Sequence, residues 1–240
     1  MQPFDRLELA IGKENLEKLK NSKVLVFGVG GVGGYTIEAL VRSGIYNIDI
    51  VDKDTVDITN INRQIVALNS TISKSKVMVM KDRILDINKE ANVNAIECFY
   101  LKENANEFDF KKYDYIIDCV DTITAKVSII ENAYKANVKV ISAMGAGNKI
   151  NPSLLRVSDI YDTKVDPLAK VMRHEMKKRG IKKLKVVYSI EKPIEIDKKI
   201  NEESNKPIPS SLIFVPASMG LLIAAEVVKD ITGIKDIKGA

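Results

Sequence analysis

Residues 23–34 read KVLVFGVGGVGG, and this stretch decides the fold. Its first half is a short apolar run rich in β-branched residues, which predicts a buried strand over Lys23–Phe27. The glycines that follow predict a tight turn into a helix, because glycine adopts backbone conformations that other residues avoid. The first N–H groups of such a helix point toward the turn, where they can bind phosphate. The stretch therefore predicts a nucleotide-binding strand-turn-helix unit.

The glycine turn alone leaves ATP and NAD open as ligands. Gly28, Gly30 and Gly33 fit the spacing G-x-G-x-x-G that dinucleotide-binding proteins also use. The next predicted strand is Ile48–Val51, and Asp52 follows it at the position where a carboxylate can accept hydrogen bonds from a ribose. Both ligands carry such a ribose, so these positions identify a nucleotide without choosing between the two.

A polar cluster beyond the second strand favours ATP. It consists of Asn60, Asn62, Arg63 and Gln64, with Lys76 at the start of a later predicted helix. Hydride transfer has no need of such a cluster. Phosphoryl chemistry does need one, because fixed donors and cations must stabilise the charged oxygens and hold a departing pyrophosphate.

Strands and helices alternate along the first 147 residues, which predicts an α/β fold with a mostly parallel central sheet and helices on both faces. The other predicted strands are Val93–Cys98, Tyr115–Asp118 and Val138–Ala143, and the predicted helices are Tyr35–Arg42, Lys76–Asn88 and Ala125–Ala136. Gly44 and Asn137 stand where two of these helices must end, as left-handed caps require. Residues 1–147 are thus expected to form the nucleotide-binding core of a single domain spanning residues 1–240.

Beyond Gly147 the regular alternation lapses, and residues 148–240 are expected to form a substrate-facing and dimer-forming extension. The stretch 159–212 is polar and lysine-rich, with one predicted helix at Pro167–Lys178. The composition of 190–209 predicts a lid or a disordered segment. An apolar helix then begins near Pro216, which suits a helix start, and is expected in the core or at a dimer interface.

Composition excludes several classes of protein. No run reaches the roughly 18 apolar residues of a membrane span, and the N-terminus lacks an apolar signal-peptide core, so a soluble cytoplasmic protein is expected. Cys98 and Cys119 are too few for a disulfide framework or a four-thiolate zinc site. The net charge of +5 and pI of about 8.9 permit an RNA partner without requiring one.

The glycine turn, the polar cluster and the sequence DCVD at 118–121 together resemble the ThiF/MoeB superfamily, which includes ubiquitin-activating enzymes and adenylates carboxylates. This resemblance covers Arg6–Gly147 and implies the Rossmann-like adenylation fold of that superfamily. Two later segments, DPL at 166–168 and FVPASMG at 214–220, are similar to the tRNA threonylcarbamoyladenosine dehydratases within it. The resemblance then runs nearly from end to end.

The resemblance implies a role for each matching residue. ATP would be bound by Gly28, Gly30, Gly31, Gly33, Asp52, Asp54, Asn60, Asn62, Arg63, Gln64, Lys76 and Asp121. Arg63 and Lys76 would neutralise charge as pyrophosphate departs, and Asp121 would hold Mg²⁺. Arg6 matches an arginine that members of the family insert into the ATP site of a partner subunit, which implies a homodimer with two composite sites.

The implied reaction is adenylation of the threonyl carboxylate on tRNA N6-threonylcarbamoyladenosine, followed by cyclisation. AMP and pyrophosphate leave, and water is lost from the nucleoside. Nucleophile and electrophile share one side chain, so proximity can replace an enzyme thiol. A monovalent cation (Na⁺ or K⁺) at the ATP site and a sulfur-relay protein partner are left open.

Two rival functions remain open at this point. An activator of a small sulfur-carrier protein would share the ATP site, although the lack of four zinc cysteines counts against it. An NAD-dependent oxidoreductase, or a nucleotide-binding module without catalysis, would share the glycine turn. Cys119 is the one thiol near the expected site, and we interpret it as a small buried hydrophobe.

A basic run extends over 177–185 and could contact tRNA phosphates. Its candidate contacts are Lys182 and Lys183, together with Arg173 one helical turn before the run. No aromatic residues are interleaved with these charges to stack on bases, so the backbone of the RNA is the expected target.

Overall fold

A seven-stranded sheet organises the part of the chain that the computed structural model describes, residues 2–195, 200–201, 206–207 and 209–235. Its strands are β1 (Lys23–Phe27), β2 (Asn47–Asp52), β3 (Asn92–Glu97), β4 (Tyr115–Asp118), β5 (Lys139–Ala143), β6 (Leu155–Asp159) and β7 (Lys185–Ser189). Their order is β3-β2-β1-β4-β5-β7-β6, and every neighbouring pair is parallel except β6 and β7. The predicted α/β class is confirmed.

Helices pack on both faces of this sheet. They are α1 (Asp5–Ile11), α2 (Lys13–Asn21), α3 (Gly33–Arg42), α4 (Lys76–Ile87), α5 (Ile123–Ala136), α6 (Pro167–Lys178) and α7 (Phe214–Thr232). Alternate residues of β1 serve the two faces: Val24 and Val26 pack in one core with α3, α4 and α7, and Leu25 and Phe27 pack in another with α5. Such two-sided burial explains the continuous apolar runs of parallel strands.

The predicted boundaries agree closely with the structure in the first 147 residues. β1 and β4 have the predicted bounds, and the other predicted strands and helices there shift by one or two residues at their ends, whereas α1 and α2 were not predicted. Both predicted caps have left-handed backbone, with φ of 89° at Gly44 and 57° at Asn137. The turn residues therefore end these helices as their chemistry requires.

The structure has two strands after Gly147 that the sequence analysis did not predict. β6 and β7 lie in the main sheet, where β7 pairs with β5, so this part of the chain contributes to the core. The strand KVVYS at 185–189 is buried but directly follows a lysine-rich stretch, whose polarity hid it. The predicted helix Pro167–Lys178 is confirmed as α6, with Asp166 as its N-cap.

The segment 190–209 was predicted to be a lid or disordered. Within it the structure describes 190–195 and a pairing of two short strands, β8 (Ile200–Asn201) and β9 (Lys206–Pro207). The rest of that segment lies outside the described residues. In the part of the chain that is described, no helix has the length and apolar character needed to cross a membrane.

The strand order determines where a ligand can bind. β1 connects to β2 on one side, whereas β4 lies on its other side, so a crevice opens at the carboxyl ends of β1 and β4. Open α/β sheets bind ligands at such a switch point. The glycine turn after β1 and the DCVD turn after β4 both end at this crevice.

Candidate active site

A cleft of about 880 Å³ lies at the carboxyl ends of β1, β2, β4 and β5. The predicted ATP-site residues that line it are Gly28, Gly30, Gly31, Asp52, Asp54, Asn60, Arg63, Gln64, Lys76 and Asp121. These residues come from five separate stretches of the chain. Parallel strands bring them together, because the carboxyl ends of parallel strands meet at one edge of the sheet.

The Asp52 carboxylate is held by two backbone donors. Its Oδ2 accepts a hydrogen bond from the N–H of Val29 (2.6 Å) and its Oδ1 accepts one from the N–H of Asp54 (2.9 Å). The first bond ties the end of β2 to the glycine turn. The carboxylate is thereby oriented beside the turn, where a ribose next to a bound phosphate would lie.

Two glycines in the turn are required by close backbone approach. Gly28 has φ of 93°, and a Cβ there would lie 2.8 Å from the carbonyl oxygen of Cys119. At Gly33 a Cβ would lie 1.8 Å from the carbonyl oxygen of Gly28. Gly33 therefore lets α3 pack against the turn, and it does not itself line the cleft.

The amide and guanidinium groups of the polar cluster form one wall of the cleft. The side-chain oxygen of Asn60 accepts from the N–H of Asp57 (3.1 Å), which closes a capping box. Gln64 is buried, and its Oε1 is without a hydrogen-bond partner. Arg63 donates through Nη1 to the carbonyl of Thr59 (2.9 Å). A buried amide with an unused acceptor at a cleft is suited to a ligand.

Lys76 is buried at the start of α4 and pairs with Asp54. The Nζ to Oδ2 distance is 2.9 Å, while the side chain of Lys76 is 7% exposed and that of Asp54 is 50% exposed. The backbone also connects the two, because the N–H of Lys76 donates to the carbonyl of Asp54 (3.0 Å). The ammonium group is thus fixed, and the half-exposed carboxylate has room to move when an anion enters.

A buried ion pair supports the DCVD turn. Lys126 and Asp118 are fully buried, with Nζ 3.0 Å from Oδ2, and Lys126 also donates to the carbonyl of Val120 (2.8 Å). Asp118 Oδ2 accepts a further hydrogen bond from Ser142 of β5 (2.5 Å). This arrangement fixes the turn from which Asp121 projects into the cleft. The sequence reasoning missed Lys126, although a lysine in the apolar first turns of α5 is an indication of buried pairing.

Both thiols line the cleft, so the expectation that Cys119 is the one thiol near the site was wrong: Cys98, just after β3, lies there too. Burial raises the pKa of the Cys119 thiol to about 12, and the neighbouring Asp118 carboxylate acts in the same direction. Burial also raises the pKa of Cys98. Neither is therefore a thiolate at neutral pH, which agrees with the interpretation of Cys119 as a buried hydrophobe.

The end of the cleft beside β5 is built from three segments. They are the loop 144–147 after β5, Leu168 at the start of α6, and residues 209–211 before α7. A second buried ion pair lies behind this end, where Lys149 Nζ is 2.5 Å from Asp166 Oδ2. The sequence reasoning recognised Asp166 within the DPL segment but missed Lys149.

Several predicted site residues lie outside the cleft of their own chain. Asn62 is exposed and donates to the carbonyl of Ser211 (2.9 Å). Arg6 is exposed on α1, and its neighbour Phe4 packs against Tyr46 just before β2, which puts α1 near the amino ends of the strands. One chain does not bring Arg6 to its own cleft.

The predicted RNA contacts also lie apart from the cleft. Lys182 and Lys183 are exposed beyond the far end of α6, roughly 18 Å along a 12-residue helix from the end that meets the cleft. Arg173 donates to the carbonyl of Thr163 (2.8 Å) and to its hydroxyl. Arg173 therefore holds the loop before α6, whereas the two lysines are open to solvent.

Metal binding by this chain alone would need a cluster of ligands. Among the described residues there is no group of three or more His, Cys, Asp or Glu side chains that could hold a metal ion. Asp121 is an exposed carboxylate at the cleft. Mg²⁺ is commonly held by one or two carboxylates with water and substrate phosphates, so Asp121 fits that role.

The fold and the cleft together define an α/β protein of the nucleotide-binding class, with a glycine turn and a polar wall at the switch point of its sheet. The chain belongs to the ThiF family, whose model matches residues 4–240. It is similar to the tRNA threonylcarbamoyladenosine dehydratase of Bacillus subtilis, at 46% identity over 99% of this chain and 97% of that protein.

Solved structures agree with this assignment. The crystal structure of the Escherichia coli tRNA N6-threonylcarbamoyladenosine dehydratase TcdA in complex with ATP has a TM-score of 0.87 and 28% identity to this chain. The match covers 97% of this chain and 94% of that one. The E. coli enzyme is also similar in sequence, at 35% identity over 73% of this chain and 66% of its own length. The resemblance to this family is confirmed.

Proposed function

We propose that this protein is an ATP-dependent tRNA threonylcarbamoyladenosine dehydratase. The observation that carries the proposal is the cleft, which gathers ten of the twelve predicted ATP-site residues in one chain. The end-to-end similarity to the B. subtilis dehydratase supports the choice of substrate. A tRNA substrate would place the reaction in the cytoplasm.

The first chemical step would be adenylation. The threonyl carboxylate attacks the α-phosphorus of ATP, a C–O–P bond forms, and the bond to pyrophosphate breaks. Asp52 would hold the ribose and the N-terminus of α3 would hold phosphate oxygens. Arg63 and Lys76 would stabilise the charge that develops on the departing pyrophosphate, acting as preorganised cations.

The second step would be ring closure. A nucleophilic atom of the carbamoyl group attacks the activated carbonyl carbon, AMP leaves with the former carboxylate oxygen, and a proton is lost. The nucleoside therefore loses one water overall. The raised pKa of Cys119 is consistent with a route that needs no enzyme thiolate, because nucleophile and electrophile are already joined.

Asp121 would hold Mg²⁺, which would shield the phosphate charges when bound. Its position two residues before α5, in the cleft that the glycine turn also lines, supports this role. A monovalent cation and a sulfur-relay partner stay predictions.

The proposed function is tested by following ATP and the nucleoside together. The enzyme is incubated with ATP and tRNA that carries threonylcarbamoyladenosine, with unmodified tRNA as the control. We expect AMP and pyrophosphate only with the modified tRNA, and a nucleoside lighter by one water after digestion. AMP release driven instead by a protein ending in Gly-Gly would establish the sulfur-carrier activator.

Substitution of Arg63 tests its proposed role. Arg63→Ala should lower AMP formation by roughly a hundredfold or more, as losses of preorganised charge stabilisation do. Exposed Arg156, which donates to the carbonyl of Ser153 (2.8 Å) away from the cleft, provides the matched control Arg156→Ala. An unchanged rate in Arg63→Ala would remove this residue from the mechanism.

We also propose a homodimer in which each ATP site receives Arg6 from the other subunit. Two features support it. Arg6 lies away from its own cleft, and an apolar surface borders the cleft where the 3-10 turn Ile58–Asn60 and the residue after it meet the start of α7. That surface consists of Ile58, Ile61, Leu212, Ile213, Phe214 and Leu221, each between 36% and 63% exposed.

Mixed dimers test this arrangement. Arg6→Ala and Arg63→Ala should each be nearly inactive alone. Co-expressed, they should recover about a quarter of wild-type activity, because half of random dimers are mixed and each mixed dimer has one intact site. Sedimentation of the wild type should show a dimer. A monomer, or no recovery on mixing, would contradict the composite site.

We propose that the phosphate backbone of the RNA binds along the exposed face of α6 and the loop before β7. Lys170 and Lys177 are exposed on this helix, and Lys182 and Lys183 extend the same charge. Lys182→Glu with Lys183→Glu should raise the KM for tRNA and flatten its salt dependence without changing ATP binding. The charge-matched control is Lys111→Glu with Lys112→Glu, and equal effects in both would locate the RNA elsewhere.

A further inference from the structure

We propose that Lys149 and Asp166 are positioning residues that fix the end of the cleft where the carboxylate substrate binds. The inference rests on the proposed function. Asp52 defines the ribose end at β2, and the glycine turn defines the phosphate region at β1. The remaining part of the cleft, beside β5, is left for the second substrate.

The side chains of this pair are buried and make several hydrogen bonds. Lys149 is 2% exposed, and its Nζ donates to Asp166 Oδ2 (2.5 Å) and to the carbonyl of Gly145 (2.5 Å). Asp166 is 1% exposed, and its Oδ1 accepts from the N–H of Ala169 (2.9 Å), which caps α6. One ion pair therefore connects the loop after β5 to the helix that carries Leu168, and both line the cleft.

A third segment of the cleft wall is attached at the adjoining residue. The side-chain oxygen of Asn148 accepts from the N–H of Ser210 (2.7 Å) and from its hydroxyl (3.1 Å). The N–H of Asn148 donates to the carbonyl of Ser210 (2.8 Å). All three segments of this end are thus held together by two consecutive residues, Asn148 and Lys149.

The backbone around the pair is strained. Val165, the residue before Asp166, has φ of 69°, which a β-branched residue rarely adopts. A Cβ at Gly145 would lie 3.2 Å from Asp166 Oδ2, so the loop packs closely on the carboxylate. Strain of this kind persists only where surrounding contacts hold it, and it concentrates at functional sites.

Stability alone does not account for the pair. Removing two charges from water costs about as much as their attraction returns, so an apolar pair of similar size would hold the core equally well. What an apolar pair cannot do is bind the carbonyl of Gly145 and thereby set the position of the loop. We therefore infer that the ion pair serves to set the geometry of this end of the cleft.

Two variants separate positioning from stability. Lys149→Met leaves Asp166 buried and unpaired, so it should lower the melting temperature as well as activity. In Lys149→Met with Asp166→Asn the unpaired charge is gone, and Asn can still cap α6. We expect this double variant to regain most of the melting temperature. Its kcat with modified tRNA should stay about a hundredfold below wild type, as a displacement of about 1 Å at a reacting centre can cause.

ATP affinity is the internal control, measured by calorimetry with a non-hydrolysable ATP analogue. It should stay within about twofold of wild type in the double variant, because the ribose and phosphate contacts lie at the other end of the cleft. Lys185→Met provides the matched control, since Lys185 pairs with Asp230 away from the cleft (2.8 Å). It should lose stability and keep its kcat.

Two results would overturn the positioning role of the pair. Wild-type kcat in a double variant of restored stability would overturn the positioning role. A fall in ATP affinity equal to the fall in kcat would also overturn it, since that indicates loosening of the whole cleft. Wild-type enzyme that fails to convert modified tRNA would instead refute the proposed function, and this inference would be refuted with it.

Discussion

Replacing Lys126 by Met should be among the most destabilising single changes in the described part of the chain. Lys126 and Asp118 are both 0% exposed, and their charged atoms are 3.0 Å apart. Met keeps the unbranched apolar stem and is shorter by only one heavy atom. It removes the ammonium, which leaves Asp118 with hydrogen bonds from Ser142 and from the N–H of Val120 but without a countercharge.

The expected magnitude follows from this burial. Breaking a buried ion pair by removing one partner costs about 3–5 kcal/mol, since an uncompensated charge stays in the interior. At about 2–4 °C per kcal/mol for a domain of this size, the melting temperature should fall by roughly 6–20 °C. Urea denaturation followed by circular dichroism gives the free energy of unfolding, and calorimetry gives the melting temperature.

Lys135→Met is the matched control, because Lys135 lies on the same helix and also pairs with a carboxylate. Its Nζ is 2.8 Å from Glu131, but its side chain is 65% exposed. Exposed pairs contribute about 0–1 kcal/mol, so the melting temperature should change by less than about 4 °C. Similar losses in the two variants would show that burial of the pair does not determine the cost, and the reasoning would be refuted.

Three further predictions concern the turn, the polar wall and acid stability. Gly28→Ala should destabilise the fold by about 2–4 kcal/mol in urea denaturation, because φ is 93° and the new Cβ would lie 2.8 Å from the Cys119 carbonyl oxygen. Gln64→Leu removes a buried acceptor that has no partner, so stability should hold within about 1 kcal/mol; it also removes the amide N–H donors that would bind phosphate oxygens, so ATP affinity by calorimetry should fall at least about tenfold. Burial alone would raise the pKa of Asp230. Its hydrogen bonds, the largest contribution coming from Lys185, outweigh burial and lower the pKa below its ordinary value of 3.8. The stability that this pair contributes is fully present above the ordinary pKa and is lost as the pH falls through the pKa of the folded protein. Lys185→Met should therefore make the free energy of unfolding fall less steeply as the pH is lowered. An unchanged acid dependence in this variant would contradict the prediction.

The strands that the sequence predicted well are the ones buried on both faces. β1 and β4 are continuous apolar runs bounded by Gly, Asn and Asp, so local composition alone gives their bounds. β6 was missed because it is an edge strand in which one residue of five is buried and two neighbouring residues, Arg156 and Val157, are exposed. β7 was missed because its apolar residues follow a run of lysines. In both cases pairing with a distant strand, and not local pattern, selects the conformation.

The site residues also differ in how well the sequence predicts them. Residues of the glycine turn and the polar cluster could be predicted because short spacing determines their geometry. Lys126 and Lys149 could not, because each lysine acts through a carboxylate and a carbonyl that only the folded chain brings near. A lysine within an apolar stretch is a usable indication of such a partner, yet it does not identify which carboxylate is paired.

The charge of the cleft gives an independent reason for the proposed dimer. Its lining contains three cationic side chains, Lys53, Arg63 and Lys76, and three carboxylates, Asp52, Asp54 and Asp121. The cleft of one chain therefore has no net charge, although it is expected to bind a triphosphate. Lys53 lies over the ring of Phe99 (3.9 Å), which places one of the three cations against the wall. Positive charge must then come from outside the chain, and we expect Mg²⁺ at Asp121 and Arg6 from a second copy to supply it.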